Sequence, residues 1–158
     1  RQMCIRDRFK APGPHRLWVT DIAYVRTRKG FVYTAFVTDA YSPRILGWAL
    51  SDSMRIEVLL LQALNQAIVC AKETTGLIYH LDYGLQYVSI VYNERLAEHG
   101  ITASTGTVGD SYDNALAENV NGSYKNELIH RRSWADVVDV EIATFEWVNW
   151  WTESRESV

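Results

Sequence analysis

Three acidic residues, Asp21, Asp82 and Glu118, stand in sequence contexts where a carboxylate can do chemistry. Asp21 interrupts a hydrophobic stretch, which is costly unless the acid is paired, hydrogen-bonded or bound to a cation. Asp82 follows a short apolar stretch just before a glycine, and Glu118 falls on a polar helical stripe. Each acid by itself also has an ordinary structural explanation: a solvated sheet face, a turn or an amphipathic helix.

Taken together, the three acids suggest one kind of site. Converging carboxylates repel each other strongly unless cations neutralise them, and hard oxygen ligands suit Mg²⁺ or Mn²⁺. Two such ions about 3.5–4 Å apart can activate an attacking hydroxyl and stabilise the leaving oxygen in phosphoryl transfer. Metal-dependent phosphodiester chemistry is therefore a coherent hypothesis, which spacing alone does not establish.

The elements that must position these acids follow from residue patterns. β-Branched and aromatic stretches predict strands, helical spacing predicts helices, and glycines separate them. In chain order we expect strands at 17–25, 31–38 and 44–50, a helix at 54–72, a strand at 77–80, a helix at 86–99, a strand at 101–104, a helix opening near 113 and a last helix at 134–151. This order predicts an α/β fold with a mixed sheet, in which Asp21 and Asp82 approach each other if the first and fourth strands are neighbours.

The helix that carries Glu118 has two separate stripes. One is apolar and would pack on the sheet, whereas the other is polar and is more often simply solvated. The apolar stripe is Leu116, Val120, Tyr124 and Leu128, and the polar stripe is Asn114, Glu118, Asn121 and Lys125.

Composition indicates one domain of 158 residues, 47% hydrophobic, which is enough for a real core. The net charge of −3 hides an asymmetry, because residues 1–55 hold ten Lys or Arg against four acids and residues 56–158 hold six against fifteen. The first third could thus present a basic surface to a polyanion, although charge runs are usually solvated faces.

The cellular compartment is indicated by what the sequence does not contain. Cys4 and Cys70 form no zinc-binding pattern and no disulfide framework. No apolar run approaches the roughly 18 residues of a membrane span, and no signal peptide is evident. We therefore expect a soluble cytoplasmic protein with no membrane partner.

Several segments carry a resemblance to a known family. The chain resembles the integrase-core (rve) DDE transposases of bacterial insertion sequences, in the family numbered three, which are related to retroviral integrase catalytic cores. Thirty-five residues separate Asp82 from Glu118, as in that family's motif. The matching segments are Thr20-Asp21, Asp39-Ala40-Tyr41-Ser42, Gly47-Trp48, His80-Leu81-Asp82-Tyr83-Gly84-Leu85-Gln86-Tyr87, Gly109-Asp110-Ser111-Tyr112-Asp113-Asn114-Ala115-Leu116-Ala117-Glu118 and Lys125-Asn126-Glu127-Leu128.

The resemblance implies an RNase H-like fold, a mixed five-stranded sheet with helices on both faces. It makes Asp21, Asp82 and Glu118 the catalytic residues and the ligands of two divalent cations, Mg²⁺ or Mn²⁺. Lys125 resembles the family lysine that contacts DNA at the active site, and residues 106–112 resemble the loop that closes on the DNA end. The implied reaction cleaves a phosphodiester at the element end and joins the freed 3′-hydroxyl to target DNA. DNA and further copies of the chain are the implied partners, in the nucleoid-associated cytoplasm of a bacterium.

Residues around these acids leave alternatives open. Asn114 and Asn121 could contact DNA or be solvated helix amides, and His80 could tune the site or be structural. Leu81 and Tyr83 stand where the family usually has Ser and Arg, so Asp82 lacks a neighbouring hydroxyl and cation. The chain is therefore either an active strand transferase or an impaired RNase H-like remnant that only binds DNA or self-associates. A nuclease that only hydrolyses is a third possibility.

Domain boundaries complete the prediction. Residues 1–16 contain Pro12-Gly13-Pro14 and are expected to be a linker or a sequence scar, 17–151 the catalytic core, and 152–158 a truncated tail. Trp147, Trp150 and Trp151 favour core packing, with a partner surface as the alternative.

Overall fold

The computed structural model describes residues 17–40, 44–53, 55–71, 73–81, 90–104 and 120–156. The described elements follow the predicted order along the chain. They are β1 (Leu17–Thr27), β2 (Gly30–Asp39), β3 (Ile45–Ser51), α1 (Ile56–Ala71), β4 (Ile78–Leu81), α2 (Ile90–Glu98), β5 (Thr102–Ser104), α3 (helical over 120–127), a short 3₁₀ helix (Ile129–Arg131) and α4 (Val137–Glu156).

The five strands form one mixed sheet in the order β3-β2-β1-β4-β5. Strands β1, β2 and β3 pair antiparallel, whereas β4 pairs parallel to β1 and β5 parallel to β4. The predicted mixed five-stranded sheet is confirmed, and the first and fourth strands are neighbours. Since a parallel connection needs a crossover, α1 has to lie between β3 and β4 in the chain.

Two apolar layers cover the two faces of the sheet. Alternation along β1 sends Trp18 and Ile22 to one face and Ala23 and Val25 to the other. The first face packs on α1 and α2, and the second packs on α3 and α4. Buried helix residues of the two layers are Leu60, Leu64, Tyr92 and Leu96 on the first and Val120, Tyr124, Trp147 and Trp151 on the second. Helices on both faces are thus confirmed.

The last helix begins and ends later than predicted. Asp136 Oδ1 accepts the backbone N–H of Asp139 at 3.1 Å, a capping contact that starts α4 after the predicted position 134. Trp134 instead precedes the helix as a buried anchor, and its Nε1 donates to the Ile129 carbonyl at 2.9 Å. Trp147 and Trp151 pack in the core as predicted, whereas Trp150 is 51% exposed.

Cys70, on α1, is disulfide-bonded. The sequence did not indicate this bond, because spacing along a sequence says little about which thiols a fold brings together. In the described ranges, no helix is both long enough and apolar enough to cross a membrane.

Candidate active site

Asp21 is presented by β1 to the side of the sheet that α3 and α4 cover. It lies two residues before Ala23, and residues two apart on a strand share a face. Its Cα pairs with that of Phe36 on β2, and its side chain is half-buried. The acid that interrupts the first strand therefore points into the α3 layer rather than to a solvated sheet face.

Two donors fix the Asp21 carboxylate. The backbone N–H of Ile22 donates to Oδ1 at 2.8 Å, and the side-chain amide of Asn121 donates Nδ2–H to Oδ2 at 2.8 Å. The second bond joins residues a hundred positions apart and ties β1 directly to α3. Hydrogen bonds to a ligating carboxylate set its orientation, so this acid is held ready for a cation or a substrate group.

Asn121 is positioned by the buried side of its own helix. The Tyr124 hydroxyl lies 3.1 Å from Thr34 Oγ1 on β2 and 2.7 Å from Thr144 Oγ1 on α4. The Tyr124 ring also packs edge-on against Phe36, with ring centroids 4.9 Å apart. Burial raises the pKa of Tyr124, which keeps its hydroxyl protonated and able to bridge the two threonines. This Tyr124 hub locks α3 to the sheet and to α4.

Strand β4 lies beside β1, runs parallel to it and brings the chain to the same place. Its parallel register pairs Leu81 with Thr20, the residue before Asp21. The next residue in sequence, Asp82, lies outside the described residues. The strand order and register thus meet the condition under which the first two acids were expected to approach.

The predicted site residues fall into three groups. Asp21 and Asn121 are in contact, and Lys125 lies four residues beyond Asn121 on α3 with a half-buried side chain. The structure describes the backbone of His80, which pairs with Val19 and Ser104, but not its side chain. The rest of the predicted set lies outside the described residues: Asp82, Tyr83, Asn114, Glu118 and the 106–112 loop.

The metal-binding capacity of the site rests on its donor chemistry. An oriented carboxylate such as Asp21 is the hard oxygen ligand that Mg²⁺ and Mn²⁺ prefer, so the residue present fits such an ion. Over the described ranges, which omit Asp82 and Glu118, no three His, Cys, Asp or Glu side chains cluster closely enough to hold a metal.

Sequence patterns did not reveal the Tyr124 hub. They predicted the apolar stripe, and burial of Val120 and Tyr124 confirms it for these two residues, whereas Leu116 lies outside the described residues. A tyrosine among apolar stripe residues was the available signal that a buried hydroxyl needs partners. Its partners, Thr34 and Thr144, are 90 and 20 positions away, so no local pattern identifies them.

Comparison with known proteins decides the family. A sequence profile described as an integrase core domain matches residues 11–111, and a second profile with the same description matches residues 99–156. The chain belongs to the integrase core domain family.

Two curated relatives cover nearly all of the chain. The transposase for insertion sequence element IS629 of Shigella sonnei is 48% identical over 151 residues, which is 96% of this chain and 50% of the relative. The putative transposase for IS986/IS6110 of Mycobacterium tuberculosis (strain CDC 1551 / Oshkosh) is 50% identical over 157 residues, 96% of this chain and 56% of the relative. This integrase core chain therefore spans about half the length of the curated relatives it matches.

A solved structure supports the fold. The HTLV-2 integrase catalytic core domain in complex with magnesium, in its dimeric form, superimposes with a TM-score of 0.54 at 20% identity. The match covers 74% of this chain and 72% of that one. The α/β fold predicted from the sequence, the RNase H-like fold of integrase cores, is thereby confirmed.

Proposed function

We propose that this chain is the catalytic core of a DNA transposase. It cleaves phosphodiesters at the ends of a mobile element and joins the 3′-hydroxyl to target DNA. The observation that carries the proposal is the fixed carboxylate of Asp21, held by Asn121 next to the strand that leads to Asp82. The family and the transposase names of its relatives support it.

The proposed site uses two divalent cations, Mg²⁺ or Mn²⁺, held by Asp21, Asp82 and Glu118. Glu118 precedes Asn121 by three residues, so in the helix predicted from the sequence the two would lie on the same side. Asn121 in turn contacts Asp21, which supports the grouping. Bound cations would stabilise charge on the attacking and leaving oxygens of phosphoryl transfer. The HTLV-2 integrase core was solved in complex with magnesium, which is consistent with this choice of ion.

The protein's own residues orient the reactants. Asn121 holds the Asp21 carboxylate in one orientation, and Lys125 lies one turn further along α3, where its ammonium would position a DNA phosphate. Asn114 and Asn121 are additional DNA-binding candidates, and His80 and Tyr83 flank Asp82 and would tune its environment. The amide contact from Asn121 to Asp21 makes support of the carboxylate the better-founded role for that residue.

An impaired remnant that binds DNA or self-associates is the second candidate. The observation that favours it is the pair Leu81 and Tyr83, apolar and aromatic residues beside Asp82 where a hydroxyl and a cation would support the carboxylate.

An oligonucleotide assay tests these functions. Purified protein is incubated with Mg²⁺ or Mn²⁺ and labelled DNA that carries the repeat flanking its own gene, and products are separated by size. We expect joined products from the native chain, none from Asp21→Asn, and native levels from the matched surface variant Asn126→Ala. Nicked but never joined DNA would indicate a hydrolytic nuclease. Joining seen only after Leu81→Ser with Tyr83→Arg would identify an impaired enzyme, and no product from any variant would contradict strand transfer by this chain.

We also propose that the protein acts as a homo-oligomer on bacterial DNA, in the nucleoid-associated cytoplasm. Residues 1–16 would be a linker or a sequence scar, 17–151 the catalytic core and 152–158 the tail. Support for self-association comes from α4, whose outer side exposes Val138, Ile142 and Phe145 at 55%, 59% and 46%. Residues at this spacing form one stripe, and such a stripe of apolar side chains suits a second copy of the chain.

A further inference from the structure

A group of exposed basic residues lies in and beside a depression between the β1–β2 turn and the segment after α3. We call these residues the hairpin patch: Arg26, Arg28 and Lys29 from the hairpin and His130 and Arg131 from the 3₁₀ helix. Two exposed aromatic side chains lie among them, Tyr24 at 55% and Phe31 at 48%. Arg26, Arg28 and His130 line the depression together with Tyr24 and Phe31.

The two halves of the hairpin patch are fixed to each other by hydrogen bonds through Trp134. The Arg28 N–H donates to the Trp134 carbonyl at 3.0 Å, and Trp134 Nε1–H donates to the Ile129 carbonyl at 2.9 Å. The turn itself is braced by Thr27, whose hydroxyl donates to the Gly30 carbonyl at 2.7 Å. The spacing of the cations is therefore set by the fold rather than by flexible side chains alone.

Asp139, an acid close enough to interact with Arg28 of the hairpin patch, is paired with a separate arginine. Arg132 stacks on Trp134, with its Cζ 3.8 Å from the ring centroid, and pairs with Asp139 at 3.0 Å. Hydrogen bonding to Arg132 is the main cause that lowers the pKa of Asp139, with a smaller contribution from the charge of Arg28. Arg132 therefore supplies the direct ion pair of this carboxylate, and Arg26, Arg28, Lys29 and Arg131 are exposed.

The position of the hairpin patch relative to Asp21 points to one kind of ligand. Helix α3 runs from Asn121, in contact with Asp21, past Lys125 to the 3₁₀ helix, eight residues or about 12 Å along its axis at ~1.5 Å per residue. Strand β1 covers the same direction from Asp21 to Thr27, six residues or about 20 Å at ~3.3 Å per residue. One turn of DNA is about 34–36 Å long, so the hairpin patch lies within one turn of the fixed carboxylate.

We propose that the hairpin patch binds the phosphate backbone of the DNA duplex that flanks the reacting phosphodiester. Arg and Lys contact phosphates without reading the base sequence. The patch therefore sets where the duplex lies relative to Asp21 and does not select a particular DNA sequence. The exposed Tyr24 and Phe31 rings supply apolar contacts to sugars between the phosphates. The inference rests on the proposed function only in taking DNA as the substrate.

Equilibrium binding measures the contribution of the hairpin patch directly. Fluorescence anisotropy of a labelled duplex about three helical turns long is followed over a range of salt concentrations. We expect Arg28→Ala with Arg131→Ala to weaken binding about tenfold at low salt and to make the slope of log K against log salt shallower by about two, one unit for each lost phosphate contact. Arg28 keeps its backbone bond to Trp134 in this variant, so the turn stays in place.

Matched variants separate a local patch from a general effect of charge. Arg55→Glu reverses one exposed cation at the start of α1, whereas Arg28→Glu reverses one within the hairpin patch. Weaker binding and a shallower slope for Arg28→Glu alone would support the proposal. Equal effects of the two reversals, or no effect of either, would overturn it. Urea unfolding of each variant identifies loss of binding that is due to loss of the fold.

The proposed chemistry and the hairpin patch proposal can be contradicted independently of each other by these experiments. Asp21→Asn is expected to retain binding that depends on the hairpin patch while forming no joined product. If the native chain forms no product but patch variants still lose affinity, the proposed chemistry is wrong and the DNA surface stands. If products form and the patch variants bind like the native chain, the hairpin patch proposal is wrong and the proposed chemistry stands.

Discussion

At the scale of single residues, the best-defined feature of the site is the amide bond from Asn121 to Asp21. The sequence placed Asn121 on the same helical stripe as Glu118 and Lys125 and offered DNA contact or solvation as its roles. Its side chain instead supports a carboxylate on a distant strand. Such a positioning residue acts on chemistry through the group it holds.

Replacing Asn121 therefore tests whether Asp21 needs support. We expect Asn121→Ala to lower strand transfer or metal affinity by about 10–100-fold, as loss of a partner that orients a ligand usually does. The Mn²⁺ concentration for half-maximal product should rise, which a merely structural change would not produce. Asn126→Ala, an exposed amide on the same helix, serves as the control. An unchanged Mn²⁺ dependence in Asn121→Ala would contradict the positioning role.

At the scale of elements, α1 reaches the sheet so closely that β3 has no room for a side chain at Gly47. A Cβ there would overlap the Ala63 carbonyl oxygen and lie 2.9 Å from the Ala67 nitrogen. We expect Gly47→Ala to lower the free energy of unfolding by about 1–3 kcal/mol, because both neighbours are helix backbone and cannot move aside cheaply. Urea-induced unfolding of the variant and the native protein measures this difference in free energy.

Gly122 provides the matched control for this prediction. It lies on α3, and nothing stands within 4 Å of the position that a Cβ would take there. Gly122→Ala should raise the free energy of unfolding by up to about 1 kcal/mol, since alanine is the better helix former. Two Gly→Ala changes of opposite sign would locate the tight contact at the α1–β3 interface. Equal effects would contradict it.

A second prediction at the scale of elements concerns Tyr79 on strand β4. Burial raises the pKa of Tyr79 from 10.0 to about 12 where it packs against Tyr92 of α2, with ring centroids 6.0 Å apart. As the pH rises, the unfolded chain therefore releases this proton before the folded chain does. The contribution of Tyr79 to stability is complete below pH 10 and is lost as the pH rises from about 10 to about 12. A shift of this size corresponds to about 2–3 kcal/mol.

Tyr79→Phe should remove the part of the loss of stability at alkaline pH that comes from this hydroxyl. The difference in unfolding free energy between the variant and the native chain, measured in urea, should shift in favour of the variant from pH 8 to pH 11. Exposed Tyr24→Phe controls for the removal of one tyrosine hydroxyl. A difference that stays constant with pH would contradict the burial of an ionisable group at this position.

The sequence predicted elements better than their contacts. Alternation and helical spacing are local signals, so the strands, α1 and the apolar stripe of α3 were all predictable. The start of α4 was wrong by three residues, because the Asp136 cap outweighed the aromatic spacing that began at Trp134. The Tyr124 hub and the Asn121 contact depend on which strand and helix face each other, which no local pattern specifies.

At the scale of the whole molecule, the strand order decides what the acids can do. Asp21 stands on the central strand β1, and β4 pairs beside it so that the chain reaches Thr20 just before Asp82. Composition and periodicity predicted a mixed sheet but did not decide whether the first and fourth strands are neighbours. The pairing of β1 with β4 is a long-range contact, which residue spacing does not specify.

The outer side of α4 carries the prediction for assembly. Ile142 and Phe145 are 59% and 46% exposed, and Phe145 packs beside Trp48 of the edge strand β3, with ring centroids 6.5 Å apart. Together with Asn149 and Gln66 these residues line a groove between α4 and α1. A groove lined by exposed apolar side chains together with polar ones suits a protein interface.

Light scattering coupled to size-exclusion chromatography measures the oligomeric state of the protein. We expect the native protein to elute as a dimer or larger species and Ile142→Asp with Phe145→Asp to shift it toward the monomer, because two charges would be buried without partners in the interface. Val69→Asp changes an equally apolar residue on α1, 70% exposed and outside this groove, and should leave the mass unchanged. A monomeric native chain, or dissociation caused by Val69→Asp as readily, would show that α4 does not form the interface.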